Sequence, residues 1–337
     1  MPRTYRPALP EPVTEQLRAL GARLYSNPSD MLGPILEGLS ILPAGAVTRA
    51  STEISITLQS TWNRKPYLVG GIFGTNRSEG ELLKLDPRYA WIFLFHYDGR
   101  IREASLEAID VPPVSPFFLA ALVWRLNDWV PQVRDAAIRC FDRVRPRIDA
   151  ELAGNLALDL LARTDSWGRW RTEKQAFFAV FERDDVVAAL VDRLHRSTKG
   201  KLVACLKVAL RHPSIDKHLP TLASEAIEPG IRAVALRCLI SRKATSITGY
   251  SWKMIDKIYG VQQRLPTIEA RPLSVASEPI EWIARGIDDR SSTVRWVVVD
   301  ELLRRPPDFP GARALIDRLA QDRSPRIRTR AEFMRQR

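Results

Sequence analysis

One short pattern recurs along most of this chain and limits what it can fold into. It is an apolar residue, a basic residue, two variable positions and a small residue, opening a stretch with helical apolar spacing. The clearest copies are Ile101-Arg102 in GRIREASLEAI, Val133-Arg134 in PQVRDAAIRCF, Ile231-Arg232 in PGIRAVALRCL, Val294-Arg295 in STVRWVVVDEL and Ile327-Arg328 in PRIRTRAEFM. Trp170-Arg171 in GRWRTEKQAFF and Lys201 in KGKLVACLKVAL are poorer copies. Between the basic residues the intervals are 32, 37, 30, 31, 63 and 33. The 63 is close to two periods and reads as one degenerate copy. In the second clear copy Val133, Ala137, Cys140, Phe141 and Val144 share one helical face, while Arg134, Asp135, Arg139 and Asp142 face elsewhere. A further apolar helix precedes each mark, as in Phe117 to Leu126 and Ile280 to Ile287, joined to it by a short polar turn. Two such helices cannot bury both their apolar faces alone, so neighbouring pairs must stack. The expected fold is an all-α superhelix of helical hairpins.

The turn carries a second regularity. An aspartate stands six residues before the basic mark at Asp128, Asp165, Asp289 and Asp322. The Asp-turn-Val-Arg-x-x-Ala arrangement resembles the HEAT repeat, including its phycobilisome-lyase-type subclass, over residues 87 to 337 or so. The resemblance implies an α-solenoid in which these side chains form a structural ladder between stacked repeats. Its members here would be Arg102, Asp128, Arg134, Asp165, Arg171, Arg232, Asp289, Arg295, Asp322 and Arg328. The copy at Arg171 departs from the pattern, because Lys174 stands where the others place Ser105, Ala137, Ala204, Ala235, Val298 or Ala331. From about 245 to 278 the repeat fades, and Gly260, Pro266 and Pro272 would each interrupt a long helix. That stretch reads as a short helix, Trp252 to Tyr259, inside an irregular insertion.

Residues 1–85 read as an N-terminal helical cap and 86–337 as the repeat region. Helices are expected from Thr14 to Ser26, Asp30 to Leu42 and Val47 to Trp62, the last from Ala50, Ile54, Leu58 and Trp62 at four-residue spacing. The Gly-rich LVGGIFGTNRSEG, residues 68 to 80, lacks the GxxxxGK[ST] pattern of a phosphate loop and reads as a connection.

The 337 residues are 45% hydrophobic, enough for a large core. Lys and Arg exceed Asp and Glu by 51 to 39, a net charge of +12, which fits either a solvated basic face or an acidic partner such as nucleic acid. Cys140, Cys205 and Cys238 are far apart and set in apolar stretches, so they read as core residues and not as disulfide or zinc positions. His96, His195, His212 and His218 lack metal-ligand spacing, and no metal or cofactor is expected. No stretch is apolar over the roughly 20 residues a membrane helix needs. The N-terminal MPRTYRPALPEPV has no signal-peptide core. A cytoplasmic protein with no membrane contact is expected.

Neither GxSxG, HExxH nor GxGxxG occurs, so no catalytic residue is assigned. Among nine tryptophans, Trp91, Trp124, Trp282 and Trp296 sit in apolar helices, whereas Trp129 and Trp167 follow turn aspartates. Tryptophan and arginine dominate binding hot spots. The candidate binding residues are therefore Trp129, Arg139, Arg143, Trp167, Arg169, Trp170 and Lys174. The segment RTDSWGRWRTEK also offers the residue types of alkylpurine DNA glycosylases, which are built from HEAT-like repeats: an aspartate, Asp165, beside Trp167, Arg169 and Trp170. The favoured expectation is a non-catalytic scaffold for a protein partner. Nucleic-acid binding, with or without glycosylase activity, is the alternative, and it requires Arg139, Arg143, Arg169 and Lys174 to converge on one face. The arginine-rich C-terminal DRSPRIRTRAEFMRQR reads either as a polar capping helix or as a phosphate-binding edge.

Overall fold

The computed structural model describes residues 7–24, 28–62, 78–163, 167–306 and 311–336. Among them are eighteen α-helices and one two-stranded sheet, an all-α fold with a single β excursion. The chain divides into two compact units, Met1–Val180 and Phe181–Arg337.

In the first unit α1 (Glu11–Arg23) packs on α2 (Leu32–Ser40) and α3 (Val47–Trp62), and α2 and α3 pack on α7 (Pro116–Arg125). Ala50, Ile54 and Leu58 of α3 are buried, as four-residue spacing requires. Next come α4 (Glu79–Leu85), opened by a capping box between Ser78 and Glu81, then α5 (Tyr89–Phe93) and α6 (Gly99–Ala108). α7 is followed by α8 (Pro131–Val144), α9 (Ala150–Leu160) and α10 (Lys174–Phe178). α5 pairs with α6 and α7 with α8, while α8 packs on both α6 and α10, and α9 on α7. The aromatic core of this unit lies between the hairpins: Phe95 stacks on Phe117 at 5.8 Å and Trp91 meets Phe118 at 5.3 Å.

The second unit comprises α11 (Asp184–Arg196), α12 (Leu202–Ala209), α13 (Leu219–Glu225), α14 (Pro229–Ser241), α15 (Pro279–Ile287), α16 (Ser292–Leu303), α17 (Ala312–Leu319) and α18 (Pro325–Arg335). Here α13 pairs with α14, α15 with α16 and α17 with α18, and α12, α14, α16 and α18 follow one another in contact. Gly286 of α15 permits one close approach. A Cβ there would lie 2.6 Å from Val298 Cγ2 and 2.7 Å from Leu236 Cδ2.

Between α14 and α15 the chain leaves the helical layer. β1 (Lys243–Asp256) and β2 (Val261–Pro272) form an antiparallel hairpin, with Tyr250 opposite Pro266, Trp252 opposite Arg264 and Met254 opposite Gln262. This corrects two expectations. No helix forms at Trp252 to Tyr259, and the insertion is an antiparallel ribbon whose register shifts at Ile247/Gly249 and Met254/Asp256. Since α14 packs directly on α15 and α16, the 63-residue interval is one period interrupted by a hairpin, with no degenerate repeat inside it. Aromatic and β-branched residues at alternate positions explain the strands. Arg242, at φ 56°, ends α14 in the left-handed conformation, and Gly260, at φ 63°, supplies the hairpin's turn.

Among the described residues no single helix is long and apolar enough to cross a membrane.

Candidate binding surfaces

Five of the basic marks occupy the same place, the fourth residue of their helix: Arg102 in α6, Arg134 in α8, Arg232 in α14, Arg295 in α16 and Arg328 in α18. Each sends one Nη1–H back to the carbonyl six residues earlier: His96, Asp128, Ala226, Asp289 and Asp322, at 2.7 to 2.9 Å. In Arg102, Arg134, Arg232 and Arg295 other N–H groups reach forward. Arg102 makes a bidentate pair with Asp128 (3.0 and 2.8 Å), Arg232 with Asp289 (2.8 and 3.0 Å) and Arg295 with Asp322 (2.6 and 2.9 Å). Each aspartate thus links two hairpins, its carboxylate held by the preceding arginine and its carbonyl by the following one. The same carboxylates accept the N–H two residues on, from Val130, Ser291 and Ser324. Burial pushes the Asp289 and Asp322 carboxyls up, but hydrogen bonds from Arg232 or Arg295 and from the backbone outweigh it and hold both below the ordinary range.

The copy at Arg171 is built differently. α10 begins at Lys174, three residues after the mark, and among the described residues the exposed Arg171 bonds only through its backbone N–H, to Glu173. Arg134 turns to that same Glu173, at 2.7 Å. The cause lies one turn away: Asn127 Oδ1 accepts the N–H of Arg169 and of Trp170, drawing this segment onto the α7–α8 turn. Asp165 lies outside the described residues, as does most of the Gly-rich stretch from 68 to 80.

The other candidates separate. Trp170 is buried, 7% exposed, stacked on Phe177 at 6.1 Å, and Trp167 is half-buried between Trp124 (4.9 Å) and Trp170 (5.2 Å). These two are packing residues. Trp129, in contrast, is 68% exposed. Arg139 pairs with Glu107 at 2.8 Å, and Arg143 donates to the Ile109 carbonyl at 2.9 Å, so both tie α8 to the end of α6. Lys174 is half-exposed on α10, and Arg169 is exposed. Arg169 and Trp129 line one cleft with Trp124, Arg125 and Asp128; Arg139, Arg143 and Lys174 do not line it.

The surface the sequence did not announce is the β-hairpin. Its base is clamped: Arg271 of β2 makes a bidentate pair with the fully buried Asp216 (both 2.7 Å) and donates to the carbonyls of Leu210 and His212. Ser274 donates both its N–H and its hydroxyl to the same carboxylate. Beyond the clamp the ribbon is exposed. One face carries Tyr250, Trp252 and Met254 with Pro266 and Ile268, and Arg264 lies 4.2 Å above the Tyr250 ring. Trp252 is 67% exposed, Ile258 88% and Tyr259 81%. Lys253, Lys257 and Arg264 are the cations of the outer half; its one carboxylate, Asp256, is turned inward to accept the N–H groups of Ile258 and Tyr259. The signal for this surface in the sequence is the alternation of apolar residues about Gly260, a period of two and not of 3.6.

The three cysteines are buried in apolar surroundings, which push the Cys140 and Cys205 thiols up to about 12 and the Cys238 thiol to about 11. No group of three or more potential metal ligands occurs among the described residues. No family model, curated protein or solved structure matches this chain.

Proposed function

We propose that this chain is a HEAT-type α-solenoid protein that acts without catalysis, by holding a protein partner of acidic character on its β-hairpin. The observation that carries the reading is the exposed face of Tyr250, Trp252 and Met254, with Arg264 beside it and Ile258 and Tyr259 exposed at the turn. Aromatics, methionine and arginine are the types enriched at the centres of protein interfaces. A two-stranded ribbon with one apolar face is marginal in water, and a partner packed against it would supply the missing layer. Arg264 on that face and Lys257 at the turn, with Asp256 engaged there, ask for carboxylates on the other side. The helix order and the repeated Arg–Asp pairs support the HEAT assignment. Against the polynucleotide alternative stands the engagement of Arg139 and Arg143 with Glu107 and the carbonyls of α6.

The test is capture from the native cell with wild-type protein and with the double variant Trp252→Asp/Tyr259→Asp, followed by reconstitution from purified components. A protein retained by the wild type, lost with the variant and bound again as a purified pair is expected. Identical capture by both proteins would refute the reading. Salt-sensitive binding of duplex DNA by the wild type, with no protein retained, would move the assignment to nucleic acid.

A further inference from the structure

The turn between α7 and α8 holds a charge imbalance. Arg102 and Arg125 are both buried, and the carboxylate they share is Asp128, which is itself buried. Arg102 takes both carboxylate oxygens, and Arg125 donates to Oδ2 at 2.7 Å. Among the described residues, two guanidiniums against one carboxylate leave one buried positive charge unmatched, and an unmatched buried charge is strongly destabilising unless a counter-ion meets it. Burial pulls the Arg125 pKa down to about 10, Asp128 opposing that pull and Arg102 adding to it. Of its five N–H groups, Arg125 places one on Asp128 and one on Ser51 Oγ (3.3 Å), and its buried Nε has no partner among the described residues.

Beside this guanidinium lies a cleft of about 280 Å³, lined by Ser51, Ser55, Asn127, Trp129 and Arg169 among others. Its polar groups are nearly all donors. The Ser51 oxygen accepts from Arg125, which leaves its hydrogen to give. Asn127 Oδ1 is occupied by the N–H groups of Arg169 and Trp170, which leaves the amide's NH₂. The Arg169 guanidinium is exposed, whereas the Asp128 oxygens are taken by Arg102, Arg125 and Val130. Thr52, also on the rim, already gives its hydroxyl hydrogen to the Thr48 carbonyl. A ligand for this cleft must bring negative charge and several acceptor oxygens.

We propose that the cleft binds the phosphate of a small phosphate ester, with the organic part of the ligand against the Trp129 indole. A phosphate offers an acceptor to each donor of the set, Arg125, Ser51, Ser55, Asn127 and Arg169, where a carboxylate has only two oxygens. The volume exceeds that of a bare oxyanion, and the exposed indole gives a ring or sugar a surface to stack on. The site is independent of the hairpin.

The test uses the full chain, with binding followed by calorimetry and thermal unfolding at constant ionic strength. The probes are orthophosphate, AMP and a short single-stranded oligodeoxynucleotide, with chloride as reference. Orthophosphate and AMP are expected to stabilise the wild type beyond chloride, with AMP binding the more tightly. Arg169→Ala, which removes an exposed side chain without a bonded partner among the described residues, should weaken AMP by roughly tenfold or more. Arg125→Met should abolish the effect while leaving the unliganded protein as stable as before or more so, because it removes the unmatched charge. If Arg125→Met does not fold, Arg169→Ala carries the test. An oligonucleotide that binds no tighter than AMP supports the small ester. One that binds over a hundredfold tighter, with loss in Arg169→Ala, assigns the cleft to a polynucleotide backbone and overturns the proposal. So does the absence of stabilisation by phosphate and AMP, or wild-type affinity in Arg169→Ala.

Discussion

Replacing Asp289 by alanine should cost the second unit about 3–5 kcal/mol, the range for breaking one partner of a buried ion pair. Arg232 is almost fully buried and makes four hydrogen bonds: two to Asp289 and two to the carbonyls of Ala226 and Ile227. Without the carboxylate its Nε–H and one Nη2–H lose their acceptors inside the protein, each charge-assisted bond being worth about 1.5–3 kcal/mol. The Ser291 N–H at the start of α16 loses its acceptor as well. A second change, Arg232→Met in the same chain, removes the stranded charge. The double variant should therefore be less destabilised than the two single losses added together, with a coupling of at least about 2 kcal/mol. Urea unfolding followed by far-UV circular dichroism measures both numbers. A loss below about 1 kcal/mol for Asp289→Ala would mean that the pair behaves as a solvated surface bridge. The stacking role inferred from its burial would then be wrong.

Two further outcomes follow from the same geometry. In Asp128 burial pushes the carboxyl up, and Arg125, Arg102 and the Val130 N–H bring it below the ordinary range; Asp289 and Asp322 are lowered likewise. Their folded pKa values lie under the unfolded one, about 3.9, so their contribution is full above that pH and is lost as the pH falls through the folded values. The urea midpoint should hold from neutral pH to about 5 and drop below about 4; a midpoint unchanged between about pH 5 and 3 would contradict this. Gly286→Ala should cost about 1–3 kcal/mol by forcing α15 away from Val298 and Leu236. Gly249→Ala, whose Cβ meets nothing within 4 Å, should stay within about 0.5 kcal/mol; equal losses at the two sites would refute the close-approach argument.

The helical architecture was legible because the hairpins repeat their own instructions: a fourth-position arginine, an apolar face at helical spacing and, before Arg134, Arg295 and Arg328, an aspartate six residues earlier. The pairing of Arg232 with Asp289 was obscured, since 57 residues separate them and a hairpin intervenes. Glu173 escaped notice because it serves Arg134 from outside the repeat's aspartate position. Arg125 gave no sign of its charge imbalance. One arginine at the end of an apolar helix is ordinary, and the imbalance arises only when folding brings Arg102 to the same carboxylate. Residue type alone marks Trp167 and Trp170 as candidates; in the fold Trp170 is buried against Phe177, and Trp167 is half-buried against Trp124.

Photo-crosslinking tests the protein-binding reading most directly. A benzophenone amino acid is placed at Tyr259, on the hairpin, and in a second protein at Arg196, exposed at the end of α11. After irradiation in the native cell, the chain carrying it at 259 should give one discrete, higher-mass product containing an acidic protein, with no counterpart from 196. The same products from both positions, or none from 259, would contradict the claim that the hairpin is where this protein meets its partner.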